Sequence, residues 1–100
     1  MTKERQIIEK IKCALERMRE DLVGYRVFLF GSRAAGTASE RSDFDIGIMG
    51  ASRLPLRIFY RIDDLLNEIE TLYSIDLVDM HEVSDSFRQE ALRKTEVIFG

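Results

Sequence analysis

The sequence predicts a mixed α/β (α+β) fold in which a small mixed β-sheet is flanked by helices. Three observations carry that prediction: two stretches whose apolar residues recur about every 3.6 positions, three short runs of aliphatic and aromatic residues, and a small, polar segment between the first two runs. With 100 residues and 45% hydrophobic content there is material for one modest core, so residues 1–100 are expected to form a single domain.

Ile7, Ile8, Ile11, Leu15, Met18 and Leu22 keep helical spacing between Thr2, a capping residue, and Gly24, a stopping one, which predicts an amphipathic helix over that span. Tyr25 to Phe30 lacks alternation, as a central strand covered on both faces would. Ser32 to Ser42 turns small and polar and is expected to be a loop or short helix followed by a turn, after which Asp43 to Met49 reads as a second strand. Pro55 suits the first turn of another helix, with Ile58, Ile62, Leu65, Leu66, Ile69 and Leu72 on its apolar stripe and Arg57, Arg61, Asp64 and Glu68 on its wet side. Ser74 to Met80 predicts a third strand. Ser86 and Gln89 have capping-box spacing and open a last helix to about Thr95, leaving Val97 to Phe99 as a short apolar tail.

Composition excludes several classes of function. The 15 basic and 18 acidic residues give a net charge of −3, the wrong sign for non-specific binding of a long nucleic acid. Cys13 is the lone cysteine, so no intramolecular disulfide forms and no CxxC or Cys/His cluster offers zinc ligands; a reducing cytoplasm fits best. The N-terminal segment alternates charged with apolar residues and lacks a signal-peptide core, and no run approaches the roughly 20 apolar residues of a membrane span. A soluble, cytoplasmic, unprocessed chain is expected. His81 has no metal-spaced companion, and the methionines are scattered rather than striped.

The chemistry concentrates in two strands and one turn. In the segment SDFDIGIM, Phe44, Ile46 and Ile48 fall on one face and Asp43 and Asp45 on the other, because side chains alternate along a strand. Two carboxylates about 6.6 Å apart along a strand repel each other unless a cation lies between them, and hard oxygen ligands select magnesium or manganese. Upstream, the run VFLF delivers Gly31 and Ser32 at its C-terminal end, where open α/β sheets place ligands. Glycine lets a phosphate approach the backbone, and the serine hydroxyl adds a donor. Arg33 is a further candidate for the phosphates, by its charge. Gly31, Gly36 and Thr37 have some of the spacing of a P-loop, but the lysine of that motif is missing, so that reading is rejected. In SIDLVDM, Asp76 sits between Ile75 and Leu77, while Asp79 falls on the opposite face by parity; Asp76 is the candidate to join Asp43 and Asp45. Either a DXD triplet or a Gly-Ser pair alone is ordinary strand and turn chemistry; their combination carries the argument.

Gly31-Ser32, ten residues, Asp43-Phe44-Asp45 and a later strand aspartate together resemble the GSX10DXD signature of the DNA polymerase β-like nucleotidyltransferases, in particular the minimal (MNT) branch. FLFGSRAAGTASERSDFDIGI resembles the core hairpin of that family, SIDLVDM its third-carboxylate strand and FRQEALRKTEVIF its ending, so the likeness covers essentially the whole chain. The resemblance implies a nucleotidyltransferase fold and a site in which Asp43 and Asp45 bind two magnesium ions, with manganese as a substitute. Asp76 would bind one ion and orient or deprotonate the nucleophile, and Gly31, Ser32 and Arg33 would hold ATP or another nucleoside triphosphate. In-line attack on the α-phosphorus would then expel pyrophosphate.

For the acceptor, the resemblance implies a HEPN-domain partner protein, the pair forming a toxin–antitoxin system in which the MNT chain adenylylates a tyrosine of the toxin. Two other readings stay open from the sequence: nucleotidyl transfer to a small hydroxylated molecule, in a homodimer whose subunits complete each other, and a non-catalytic antitoxin that neutralises its partner in a hetero-oligomer by covering it. The retention of Asp43, Asp45 and Asp76 argues against the last.

Overall fold

The elements run α1 (Lys3–Glu16), β1 (Arg26–Phe30), α2 (Gly31–Ala35), β2 (Phe44–Met49), α3 (Leu56–Asn67), β3 (Ile75–Asp79), α4 (Asp85–Ala91) and β4 (Glu96–Phe99). They are taken from a computed structural model, which describes residues 2–39 and 41–100; Met1 and Glu40, the latter within the segment expected to be a loop, lie outside the described residues. The strands form one sheet in the order β3-β2-β1-β4. β1 is antiparallel to both β2 and β4, and β2 is parallel to β3, so the sheet is mixed, as expected.

Alternation sorts the strand side chains onto two faces. Val27, Leu29, Phe44, Ile46, Ile48 and Ile75 pack with the apolar stripes of α1 and α3 in the main core. The opposite face holds a smaller cluster of Phe28, Phe30 and Met80 against Ala91 of α4. Gly47 makes that cluster fit, since a Cβ there would stand 2.5 Å from Cε2 of Phe28. The face expected to carry Asp43 and Asp45 is thus acidic at one end and apolar along the rest.

Four elements differ appreciably from the sequence expectation. Thr2 caps α1 as expected, its Oγ1 accepting from the Arg5 N–H at 3.1 Å, but the helix ends at Glu16 and the chain tightens into a 3-10 turn over Arg19–Leu22. Met18 and Leu22 stay buried through the change, so apolar spacing alone could not register it. α3 stops at Asn67, which puts Leu72 in the following loop, fully exposed instead of on the apolar stripe. α4 is capped by Ser84 rather than Ser86, the Ser84 Oγ accepting from the Phe87 N–H at 3.2 Å, and it ends at Ala91, short of Thr95.

The fourth difference matters most for the site. The expected apolar tail is a strand: Leu29 pairs with Glu96, Phe28 with Val97 and Val27 with Phe99. Arg5 fastens this strand to α1 by donating from both Nη atoms to Glu96, at 2.6 and 2.8 Å, and it holds the Glu96 carboxyl below the usual range. β4 enters beside the end of β1, so the turn before it lies next to Gly31 and Ser32.

Candidate active site

β1 delivers the chain to Gly31 in an abrupt turn. Gly31 has φ +74°, a left-handed conformation costly for residues with a Cβ, and α2 starts at this residue, whose first N–H groups have no partner within a helix. On the neighbouring strand Asp45 stands directly opposite Phe30, and one strand further on Asp76 stands opposite Asp45. Residues paired this way present their side chains on the same face, so Phe30, Asp45 and Asp76 form one row across the sheet, on the α4 side. Asp43 lies two residues before Asp45, at the mouth of β2, and joins them by parity.

Their environments differ. Asp43 and Asp76 are exposed, whereas Asp45 is half-buried. Burial, then the negative charge of Asp76, then that of Asp43, raise the Asp45 carboxyl above its ordinary value. Gly31 presses on the same group: a Cβ on Gly31 would lie 2.3 Å from Oδ2 of Asp45. The three acids stand along an open edge, and among the described residues no three His, Cys, Asp or Glu side chains close around a single point. The donor set fits a hard divalent cation, because it is all carboxylate oxygen and a cation would relieve the crowding that burdens Asp45.

Asp79 has a different task. Its carboxylate is 4% exposed on the opposite face and accepts from the backbone N–H groups of Leu54, at 2.8 Å, and His81, at 2.9 Å. It ties the end of β3 to the approach to α3. His81, for its part, donates from Nε2 to the Gly50 carbonyl at 2.7 Å.

Arg33 is placed otherwise than the expected phosphate contact. Its side chain is only 6% exposed and turns toward α1. Nε and Nη2 donate to the Ser42 carbonyl at 3.0 and 2.6 Å, Nη1 donates to Glu4 at 2.9 Å, and the guanidinium lies over the rings of Phe44, at 4.1 Å, and Tyr73, at 4.9 Å. A carbonyl, a carboxylate and two π faces satisfy this cation where it stands. Because Ser42 immediately precedes Asp43, the clamp fixes the residue that leads into the acidic pair.

A cavity of about 690 Å³ opens between α2 and α4. Gly31, Ser32 and Asp45 line one wall; Phe87, Arg93 and Lys94 line the other. Sequence reasoning did not single out the last three, although the adjacent cations of the RKT segment were a visible signal; only the pairing of β4 with β1 brings them to Gly31. A larger open groove of about 920 Å³ lies at the far end of β1, lined by residues such as Tyr25, Met49 and Phe99, away from the acids.

A strand-end glycine and serine beside a row of aspartates, opening onto a cavity of nucleotide size, define an enzyme of nucleotidyl transfer. Residues 9–100 match the sequence model of the family Polymerase beta, Nucleotidyltransferase, and the chain belongs to that family. Members of the family generally use divalent metal ions. The chain is 32% identical, over 88 residues, to the probable protein adenylyltransferase MntA of Haemophilus influenzae, covering 88% of this chain and 74% of the relative. Its fold is shared with a toxin–antitoxin crystal structure containing AMP-PNP, at a TM-score of 0.59 and 22% identity over 89% of this chain and 73% of the other. It is shared also with the complex of a tri-AMPylated Shewanella oneidensis HEPN toxin with its MNT antitoxin, at a TM-score of 0.61 and 19% identity over 93% and 72% of the two chains. Among the described residues no helix is long and apolar enough to cross a membrane.

Proposed function

We propose that this chain transfers AMP from ATP to a tyrosine of a partner HEPN toxin and thereby acts as its antitoxin. The observation that carries the reading is the row of Asp45 and Asp76 across the sheet, with Asp45 beside Gly31 and Ser32 on one wall of the α2–α4 cavity. The likeness to a relative named as a protein adenylyltransferase supports AMP as the group transferred and a protein as its acceptor. The structures of related antitoxins with AMP-PNP and with an AMPylated HEPN toxin support ATP as donor and such a toxin as partner.

In this reading Gly31 and Ser32 bind the triphosphate, the glycine by leaving the backbone open and the serine by donating its hydroxyl. Asp43, Asp45 and Asp76 would hold the divalent metal, two magnesium ions or manganese in their place. Bound there, the metal supplies charge neutralisation to the phosphate oxygens and to the attacking oxygen. Asp76, exposed at the outer end of the row, accepts the proton of the tyrosine hydroxyl as its oxygen bonds to the α-phosphorus. The bond from the α-phosphorus to the bridging oxygen breaks, pyrophosphate leaves, and the tyrosine carries AMP. The site works in the cytoplasm, where ATP is at hand.

The test is transfer of label from α-labelled ATP, with magnesium, to proteins of the native host lysate, comparing wild type with Asp43→Asn. One discrete band labelled by wild type alone, with a tyrosine gaining the mass of AMP, is the expected result. An active preparation that labels no protein, or that labels a residue other than tyrosine, overturns the assignment of the acceptor.

A further inference from the structure

We propose that Lys94 and Arg93, in the turn between α4 and β4, grip the phosphates of the donor nucleotide beyond the α-phosphate. The inference rests on the nucleotidyltransferase reading and assigns a part of the site that the Gly-Ser and aspartate motif does not contain.

The motif residues leave the site short of positive charge. Asp43, Asp45 and Asp76 are all acidic, a triphosphate adds further negative charge, and Arg33 is committed to Glu4 and Ser42 on the other side of the sheet. The cavity that Gly31, Ser32 and Asp45 open onto needs cations, and its facing wall has two, Arg93 and Lys94. Their position follows from strand register: Glu96 pairs with Leu29, so the residues just before Glu96 lie beside those just after Leu29, which are Phe30, Gly31 and Ser32. Asp45 must stand near the α-phosphorus, where bonds change. Side chains on the wall facing it therefore meet the departing end of the triphosphate.

Both cations are free to turn. Arg93 reaches Glu90 at 3.3 Å, but both side chains are about three-quarters exposed, and an ion pair so exposed is weak beside what a multiply charged phosphate offers. Lys94 is exposed. Glu90 lines the same cavity and opposes the anion; with Arg93 and Lys94 counted, the wall keeps a positive balance. Lysine as a point charge and arginine as a two-pronged donor are the two usual ways of holding phosphate oxygens.

The test is calorimetric binding of ATP, AMP and inorganic tripolyphosphate, with magnesium, to wild type and to the Arg93→Gln, Lys94→Gln double variant. The double variant should bind ATP and tripolyphosphate about 10- to 100-fold more weakly, the loss expected for two charged hydrogen-bond donors, while AMP affinity changes less than about threefold. The charge-keeping pair Arg93→Lys, Lys94→Arg should recover most of the loss. Both side chains are exposed, so an unchanged melting temperature verifies folding. Equal affinities for ATP in wild type and double variant, or equal losses for ATP and AMP, overturn the assignment and leave the enzymatic reading standing. A wild type that binds tripolyphosphate through these residues but transfers no AMP leaves the anion site standing and sinks the enzymatic reading. Failure of wild type to bind either ligand sinks both.

Discussion

Gly31 and Asp45 are fitted to each other: a Cβ on Gly31 would lie 2.3 Å from Oδ2 of Asp45 and 3.2 Å from its Cγ. Substituting Gly31 by alanine must therefore displace the half-buried carboxylate as well as strain the backbone. Gly36→Ala is the natural control, having a similar φ of +78° but nothing within 4 Å of the added atom. Each variant should lose about 1–2 kcal/mol from the left-handed backbone. Gly31→Ala alone should lower AMP transfer by about 100-fold or more, since a shift near 1 Å at a positioning group has that effect. Transfer rates and denaturation curves of the two variants check this.

Asp45 is held in a place that disfavours its charge, so removing the charge should stabilise the metal-free protein. The folded carboxyl titrates above its unfolded value, which means that the folded state binds the proton more tightly, and that stability declines as pH rises through the window between the two values. Asp45→Asn should therefore abolish transfer yet melt higher than wild type at neutral pH, with the advantage shrinking as pH falls through that window and gone below the ordinary carboxylate range. Melting temperatures across pH 3–8 with chelator present read the difference. Metal affinity of wild type should rise with pH through the same window, because proton and cation compete for the carboxylate.

Asp76 and Asp79 should separate cleanly by mutation. Asp76→Asn changes an exposed group and should leave stability within about 0.5 kcal/mol while transfer collapses. Asp79→Ala strands the buried N–H of Leu54 and the part-buried N–H of His81 and should cost about 2–4 kcal/mol. Any activity left to the folded fraction of the Asp79 variant should be near that of wild type. Urea denaturation alongside transfer assays provides both readings.

Arg33 should behave as a clamp. Arg33→Gln removes contacts to Ser42 and Glu4 and two ring contacts, and should cost about 2–3 kcal/mol in denaturant unfolding. Tripolyphosphate binding by the folded variant should change less than threefold. A loss of binding without a loss of stability would return Arg33 to the phosphates.

The identities in the row of acids were legible because local rules fix them. A Gly-Ser at the end of a buried run and a DXD at the mouth of the next strand put a turn and two same-face carboxylates wherever those strands form, and parity separates Asp76 from Asp79 before any fold is known. The burial of Ile7, Ile8, Ile11, Leu15, Met18 and Leu22 was legible for the same reason, since apolar spacing reports a face. The break of the first helix after Glu16 was not, because Met18 and Leu22 keep their faces through the 3-10 turn.

What tertiary structure alone decided is which segments become neighbours. The residues Glu96–Phe99 are too few and too ordinary to announce a strand; they become one because β1 has a free edge to satisfy and Arg5 holds Glu96 in place. That pairing carries Arg93 and Lys94 to Gly31, more than sixty positions away in the chain. Likewise, nothing in a run of small polar residues says which way Arg33 turns, and its direction follows from Glu4, Phe44 and Tyr73 converging from three separate segments of the chain. Backbone periodicity and side-chain parity are properties of neighbouring residues and can be read along a sequence. The partners of a charge are set by packing between distant segments, and that is where this site gained its cations and where Arg33 was drawn away from it.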